Sequence, residues 1–147
     1  MRGDPIMSSS APAVVRVTRR FTFSAAHRYA RPDWSDAQNR SHYGNLATIH
    51  GHTYTLEVTL RGPVNPRTGM AVDLGAMKRL VGESVLARFD HAFLNDDPAF
   101  PPGVIPTTEN LVQAIWDLLA DKLGRDRLDQ LRLWEDPTLF VEFRGEA

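Results

Sequence analysis

The sequence contains no cysteine among its 147 residues. Disulfides, thiolate metal ligands, iron–sulfur clusters and a cysteine nucleophile are therefore excluded. The chain also has almost no excess of charge, because its 17 lysine and arginine residues are matched by 18 aspartate and glutamate residues. Proteins that bind nucleic acids carry a clear positive excess, so we predict no nucleic-acid partner.

Long hydrophobic runs are absent as well. No stretch approaches the ~20 apolar residues that span a bilayer, and the first residues, MRGDPIMSSSAPAV, lack the apolar segment of a signal peptide. We therefore predict no membrane partner and a cytoplasmic location. Residues 1–13 mix serine, proline and alanine without periodicity, which predicts a disordered leader before a single domain over residues 14–147.

Alternating apolar and polar residues predict two strands in the first half of the chain. Odd positions from Val15 to Phe23 are mostly apolar, and a second alternation begins at His50 and continues to Leu60. Between them, residues 28–45 are polar and lack a period, which predicts a long loop. A turn over residues 62–69 precedes a short predicted strand at residues 70–72.

Helical spacing of apolar residues predicts two helices in the second half. The first begins after Asp73 as N-cap and ends near Phe89, and the second begins at Thr107 or Thr108 and ends at Gly124. Two further strands are predicted at residues 131–135 and 139–143. Because no βαβ unit is evident, the order of elements predicts an α+β fold, an antiparallel sheet with helices on one face.

Three histidines occupy positions from which they could converge on one ion. His50 and His52 are alternate residues of a strand and share a face, and His27 continues the apolar face of the first strand. If the two strands pair, all three imidazoles point into one layer. Such a set suits Zn²⁺ and leaves a fourth coordination position for water or substrate, although a lone histidine on an apolar face is usually a core residue.

Two other ionisable positions have open interpretations. The pair Asp90-His91 follows the first helix. It is either an acid–base unit, or its histidine is a cation that compensates the dipole at the C-terminus of the helix. Glu135 continues a core-facing row and needs partners, which could be two N–H donors of a flat ligand or a neighbouring arginine, Arg132 or Arg144.

A cupin metal site is a competing interpretation of the histidine pair. The spacing Gly44, His50, His52 and Glu57 is similar to the first cupin motif. A regular strand places Glu57 on the face opposite the histidines, and two long helices do not suit a jelly roll. The cupin interpretation is therefore disfavoured.

Taken in order, these motifs resemble the 6-pyruvoyltetrahydropterin synthase family, which includes the 6-carboxytetrahydropterin synthases of the queuosine pathway. The resemblance covers residues 17–146 and rests on six ordered pieces. They are FTFSAAH at 21–27, HGH at 50–52, PRTGM at 66–70 with DL at 73–74, DH at 90–91 with LN at 94–95, PTTEN at 106–110, and Glu135. It implies the T-fold, in which a four-stranded antiparallel sheet and two helices form a barrel of three chains, and two trimers stack into a homohexamer.

The resemblance also implies an activity, that of a zinc-dependent lyase acting on the side chain of 7,8-dihydroneopterin or its triphosphate, in tetrahydropterin or queuosine-type biosynthesis. It implies a role for each matching residue. The zinc ligands would be His27, His50 and His52, the catalytic relay would include Asp90 and His91, and the pterin ring would be held by Thr107, Thr108 and Glu135.

One position departs from the family pattern. The family has its catalytic cysteine four residues before the first histidine of the HxH pair, and here that position is Leu46. A leucine side chain cannot carry a proton, so the predicted lyase needs an unconventional base, for which His42, Tyr43, Thr48 and His91 are candidates. The alternative is a catalytically silent pterin-binding protein.

Overall fold

A computed structural model describes residues 12–147 as five strands in one open sheet with helices on one face. Residues 1–11 of the predicted leader lie outside the described residues. The strands pair in the order β3-β1-β2-β4-β5. Their bounds are β1 Val14–His27, β2 His50–Pro63, β3 Ala92–Phe93, β4 Leu128–Asp136 and β5 Leu139–Phe143.

The four long strands form the predicted antiparallel sheet. Strands β1 and β2 pair along their whole length, from Val14 opposite Pro63 to His27 opposite His50. Strand β4 continues the sheet beside β2, and β5 pairs with β4. The short β3 runs parallel to β1, with Ala92 opposite Ala25. The prediction of four antiparallel strands is corrected to a mixed sheet of five, because the chain leaving the helices passes along the edge of β1.

The helices that cover the sheet begin where capping residues predict. Helix α2, Leu74–Val81, starts after Asp73, whose side chain accepts a hydrogen bond from Ala76 N–H at 3.0 Å. It continues through a π-helical segment, Gly82–Leu86, into α3, Ala87–Phe89. Helix α4, Thr108–Leu123, starts after Thr107 and ends at Gly124, whose φ of 99° suits glycine. Both predicted helices are thus confirmed.

Two local predictions were wrong. The polar segment 28–45 contains a short helix, α1 Asp36–Tyr43, which begins with a capping box formed by Ser35 and Gln38. Serine followed three residues later by glutamine is a helix-start signal that a reading based on apolar periodicity overlooks. Residues 70–72 form no strand, since residue 70 has no regular structure and the backbone bends at residues 71 and 72.

One hydrophobic core lies between the sheet and the helices. The inward row of β2, Tyr54, Leu56, Val58 and Leu60, meets apolar residues of α2, α4 and β4 that are almost fully buried. None of the described helices has the length and apolar character needed to cross a membrane. The core holds the ends of β1 and β2 in fixed register, and the histidines lie at those ends.

Candidate functional site

The pairing of β1 with β2 brings the three predicted histidines together. His27 lies directly opposite His50, and His52 follows two residues later on the same face. The ring centroid of His27 lies 4.5 Å from that of His50 and 5.1 Å from that of His52. One nitrogen from each ring can be chosen so that all three lie within 4.8 Å of one another. His27 is fully buried, and the other two are partly exposed.

Hydrogen bonds orient two of these rings. Nδ1 of His27 donates to the carbonyl of Pro106, and Nδ1 of His50 donates to the carbonyl of Thr48, each at 2.7 Å. Their Nε2 atoms are therefore lone-pair acceptors in the neutral imidazole. The Nε2 atoms of His27, His50 and His52 are buried and have no hydrogen-bond partner within residues 12–147.

These two acceptors and the unpartnered Nε2 of His52 are buried close together, an arrangement that fits a shared cation. A fixed Nδ1–H bond to a backbone carbonyl is the usual support of a metal-binding histidine. Burial, with smaller contributions from His50 and His52, lowers the pKa of His27 and favours the neutral form that a metal requires. A set of neutral imidazoles without thiolates suits zinc.

Glu135 on β4 lies beside this cluster. Its Oε1 accepts a hydrogen bond from the buried hydroxyl of Thr108 at 2.9 Å and lies 3.7 Å from Nε2 of His52. Arg132 and Arg144, the two arginines considered from sequence, pair with Glu142 instead. The arginine alternative for Glu135 is therefore wrong. The second oxygen, Oε2, has no hydrogen-bond partner in the described part of the chain and can accept one from a ligand.

The two threonines at the start of α4 use their hydroxyls differently. Thr107 caps the helix, because its Oγ1 accepts a hydrogen bond from Asn110 N–H at 3.1 Å. Thr108 donates to Glu135 and thereby fixes the carboxylate. The preceding Pro106 carbonyl holds His27. The start of α4 thus positions both a histidine and the carboxylate of the candidate site.

Asp90 and His91 form a separate pair at the edge of β1. Oδ1 of Asp90 accepts a hydrogen bond from Ser24 N–H at 2.9 Å and lies 3.2 Å from Nδ1 of His91. The Ser24 N–H, followed by His91, lowers the pKa of Asp90. The His91 side chain is 84% exposed and lines an open groove that also includes His52. No hydrogen bond or ring contact of the described residues joins His91 to the three histidines.

The surroundings of Leu46 include a tyrosine that sequence reasoning missed. Leu46 lies in a 3₁₀ turn, Gly44–Ala47, and is exposed. Its carbonyl accepts a hydrogen bond from Tyr29 N–H at 2.8 Å. The Tyr29 ring lies 5.2 Å from the ring of His27, whereas His42, on α1, packs against Trp34 and Tyr43. Tyr29 is two residues beyond His27, and that proximity was the available signal.

Comparison with known proteins gives a consistent result over almost the whole chain. A family model described as 6-pyruvoyl tetrahydropterin synthase matches residues 16–146. A 6-pyruvoyl tetrahydrobiopterin synthase of Drosophila melanogaster is 37% identical over 139 residues, which covers 92% of this chain and 83% of that protein. A 6-carboxy-5,6,7,8-tetrahydropterin synthase of Rickettsia typhi is 27% identical, covering 88% and 99%.

A solved structure agrees with the sequence comparisons. The 6-pyruvoyl tetrahydropterin synthase of Caenorhabditis elegans superposes with a TM-score of 0.83 at 31% identity, covering 92% of this chain and 98% of that one. The Plasmodium falciparum synthase gives 0.66 at 18% identity, which supports the fold alone. The α+β class predicted from sequence is confirmed by these neighbours.

Proposed function

Because this chain belongs to the 6-pyruvoyl tetrahydropterin synthase family, we propose that it is a zinc-dependent lyase acting on the side chain of 7,8-dihydroneopterin or its triphosphate. Related proteins carry names of both tetrahydrobiopterin and 6-carboxytetrahydropterin synthases, so tetrahydropterin and queuosine-type biosynthesis are the pathways considered. The observation that carries the proposal is the convergence of three buried, unpartnered Nε2 atoms beside a carboxylate that has a free oxygen.

In this proposal, His27, His50 and His52 hold zinc, and Glu135 holds the pterin ring. When bound by these histidines, zinc would supply Lewis acidity at the end of the sheet where β1 ends and β2 begins. Glu135 accepts N–H donors of the ring, and Thr108 keeps the carboxylate oriented toward them. A ring held by Glu135 would lie next to the histidines, since Oε1 of Glu135 is 3.7 Å from Nε2 of His52. Thr107 contributes by starting the helix that carries Thr108.

Proton transfer in this proposal belongs to His91, which Asp90 orients. The pair has the composition of an acid–base unit, and its carboxylate is fixed by the Ser24 N–H. His91 has a φ of 64°, in a region that residues other than glycine seldom occupy. Its ring is therefore presented by a constrained backbone at the edge of the sheet, in the groove that includes His52.

We also propose the homohexamer that family membership suggests. Within the described chain the sheet is open, with β3 and β5 at its edges. Its face away from the helices is polar, with an Arg20–Glu57 ion pair at 2.7 Å and a hydrogen bond between Thr18 and Thr59. A polar face and unpaired edges are what a barrel of several chains with a wet interior requires.

A second candidate function follows from Leu46. The chain offers no thiolate at this position, so a protein that binds a pterin without converting it is the alternative. Formation of a product from 7,8-dihydroneopterin or its triphosphate separates the lyase from the binding protein. Both candidates require the same ring recognition, which can be tested without turnover.

Replacing Glu135 by glutamine should weaken pterin binding by about 10- to 100-fold. Hydrogen bonds to charged groups contribute about 1.5–3 kcal/mol, and the amide offers one acceptor oxygen fewer to the ring. Glutamine retains an oxygen for Thr108, so the fold and the zinc content should persist. Calorimetric titration of 7,8-dihydroneopterin into both zinc-loaded proteins measures the effect.

The matched control is Glu142→Gln, since Glu142 lies on β5 and pairs with Arg132 away from the histidines. We expect its pterin affinity to equal that of the wild type. Thermal melts of all three proteins report stability alongside the titrations. A lowered melting temperature in Glu135→Gln with unaltered pterin affinity would refute the role of Glu135 in ring recognition.

A further inference from the structure

Tyr29 forms one wall of the histidine cluster. Its ring stands edge-on to the ring of His27, with centroids 5.2 Å apart and an interplanar angle of 85°. The same ring lies 6.3 Å from that of His50. Tyr29 is partly buried at the end of β1, just where the chain leaves the sheet. A phenol is therefore the polar side chain that flanks the cluster from the α1 side.

Local contacts fix this position. The Tyr29 N–H donates to the Leu46 carbonyl at 2.8 Å, and the Tyr29 ring packs edge-on against Tyr43 at 5.7 Å. Leu46 itself presents only apolar atoms from its side chain. Tyr29 thus joins the turn that carries Leu46, through its backbone N–H, to the histidine cluster, through its ring.

The hydroxyl is available to a ligand. Within residues 12–147 it has no hydrogen-bond partner, while its ring is held on two sides. A phenol hydroxyl without a partner can donate a hydrogen bond to a ligand.

We propose that the Tyr29 hydroxyl donates a hydrogen bond to a hydroxyl on the side chain of the substrate. The inference rests on the proposed function, because it places the substrate ring on Glu135 and the side chain at the histidines. The Tyr29 ring flanks His27 and His50, so a substrate side chain at the histidines would lie beside the phenol. Tyr29 would then select pterins that carry a hydroxylated side chain over pterins with an apolar substituent.

The test compares two ligands and two variants. The ligands are 7,8-dihydroneopterin, which carries side-chain hydroxyls, and 6-methyl-7,8-dihydropterin, which has the same ring and none. The variants are Tyr29→Phe and the control Tyr43→Phe, which removes a hydroxyl from the neighbouring tyrosine. Both substitutions keep the aromatic ring. Calorimetric titration into the zinc-loaded proteins gives four affinities to compare with those of the wild type.

We expect Tyr29→Phe to bind 7,8-dihydroneopterin about 3- to 10-fold more weakly, the effect of one net hydrogen bond. Its affinity for the methyl pterin should not change, and Tyr43→Phe should match the wild type with both ligands. Zinc content and melting temperature should be the same in all three proteins.

Three outcomes would overturn the inference. Equal weakening of both pterins by Tyr29→Phe would show that the residue shapes the ring site rather than binding the side chain. Unchanged affinity for both pterins would show that the hydroxyl makes no contact. In each of these cases the proposed function stands. A wild-type protein that binds neither pterin overturns the proposed function, and the inference with it.

Discussion

Replacing His52 by alanine should eliminate stoichiometric zinc binding while leaving the chain folded. The wild type should retain about one zinc per chain after dialysis, because three Nε2 atoms converge without other partners. Loss of an outer partner of a metal ligand typically costs 10–100-fold in affinity, and loss of a ligand itself should cost more. His52 lies at the end of β2 and is partly exposed, so the paired backbone of the sheet should survive.

His42→Ala is the matched control for this experiment. His42 is an exposed histidine on α1 whose ring packs against Trp34 and Tyr43, away from the cluster. Elemental analysis by mass spectrometry should find wild-type zinc content in His42→Ala and almost none in His52→Ala. Equal zinc content in the two variants, whether retained or lost, would contradict the assignment of the histidine cluster as the metal site.

Introducing a thiol at position 46 should raise the rate of triphosphate elimination by about 10²–10⁴-fold if the chain lacks only its general base. Leu46 lies in a turn whose carbonyl accepts the Tyr29 N–H, and the Tyr29 ring contacts that of His27, so one residue links position 46 to the histidine cluster. A metal held there should lower the pKa of the thiol toward neutrality. The assay measures release of triphosphate from 7,8-dihydroneopterin triphosphate by zinc-loaded Leu46→Cys.

Leu46→Ser provides the control of similar size, because a serine hydroxyl is not a base near neutral pH. We expect it to show only the wild-type rate. A cysteine variant no faster than the serine variant would contradict a missing base at this position. If the wild type is then active and His91→Ala is inactive, the base is His91.

The candidate metal site could be predicted because strand geometry is regular. Alternation on β2 places His50 and His52 on one face, and pairing with β1 leaves His27 opposite His50. The positions of the three histidines follow from the two-residue period of a strand and from the assumption that β1 pairs with β2. Capping residues likewise located α2 and α4, because Asp73 and Thr107 each accept a backbone N–H at a helix start.

Other features depend on tertiary contacts that no local pattern encodes. The sequence leaves the partner of Glu135 undecided between a ligand and an arginine. The pairing of β4 with β5 places Arg132 opposite Glu142, and Arg132 therefore binds that carboxylate instead of Glu135. Strand β3 exists only because residues after His91 meet the edge of β1. Glu57, on the face of β2 opposite the histidines, is buried and pairs with Arg20 across the sheet.

Tyr29 is a further residue whose role depends on tertiary contacts. It lies in a segment without periodicity, and its importance comes from ring contacts with His27 and Tyr43. Those contacts arise from the turn at Leu46, whose carbonyl receives the Tyr29 N–H. In the sequence its one distinguishing mark is its position two residues after His27, and its place in the fold depends on a residue 17 positions away.

The most direct test of the lyase assignment is product identification with the zinc-loaded wild type. The protein is incubated with 7,8-dihydroneopterin and, separately, with its triphosphate, and the pterins are separated and identified by mass spectrometry. The account predicts a pterin with an altered side chain from at least one substrate, formed only while zinc is bound. Tight binding of both compounds with both recovered unchanged would contradict the lyase and leave a pterin-binding protein.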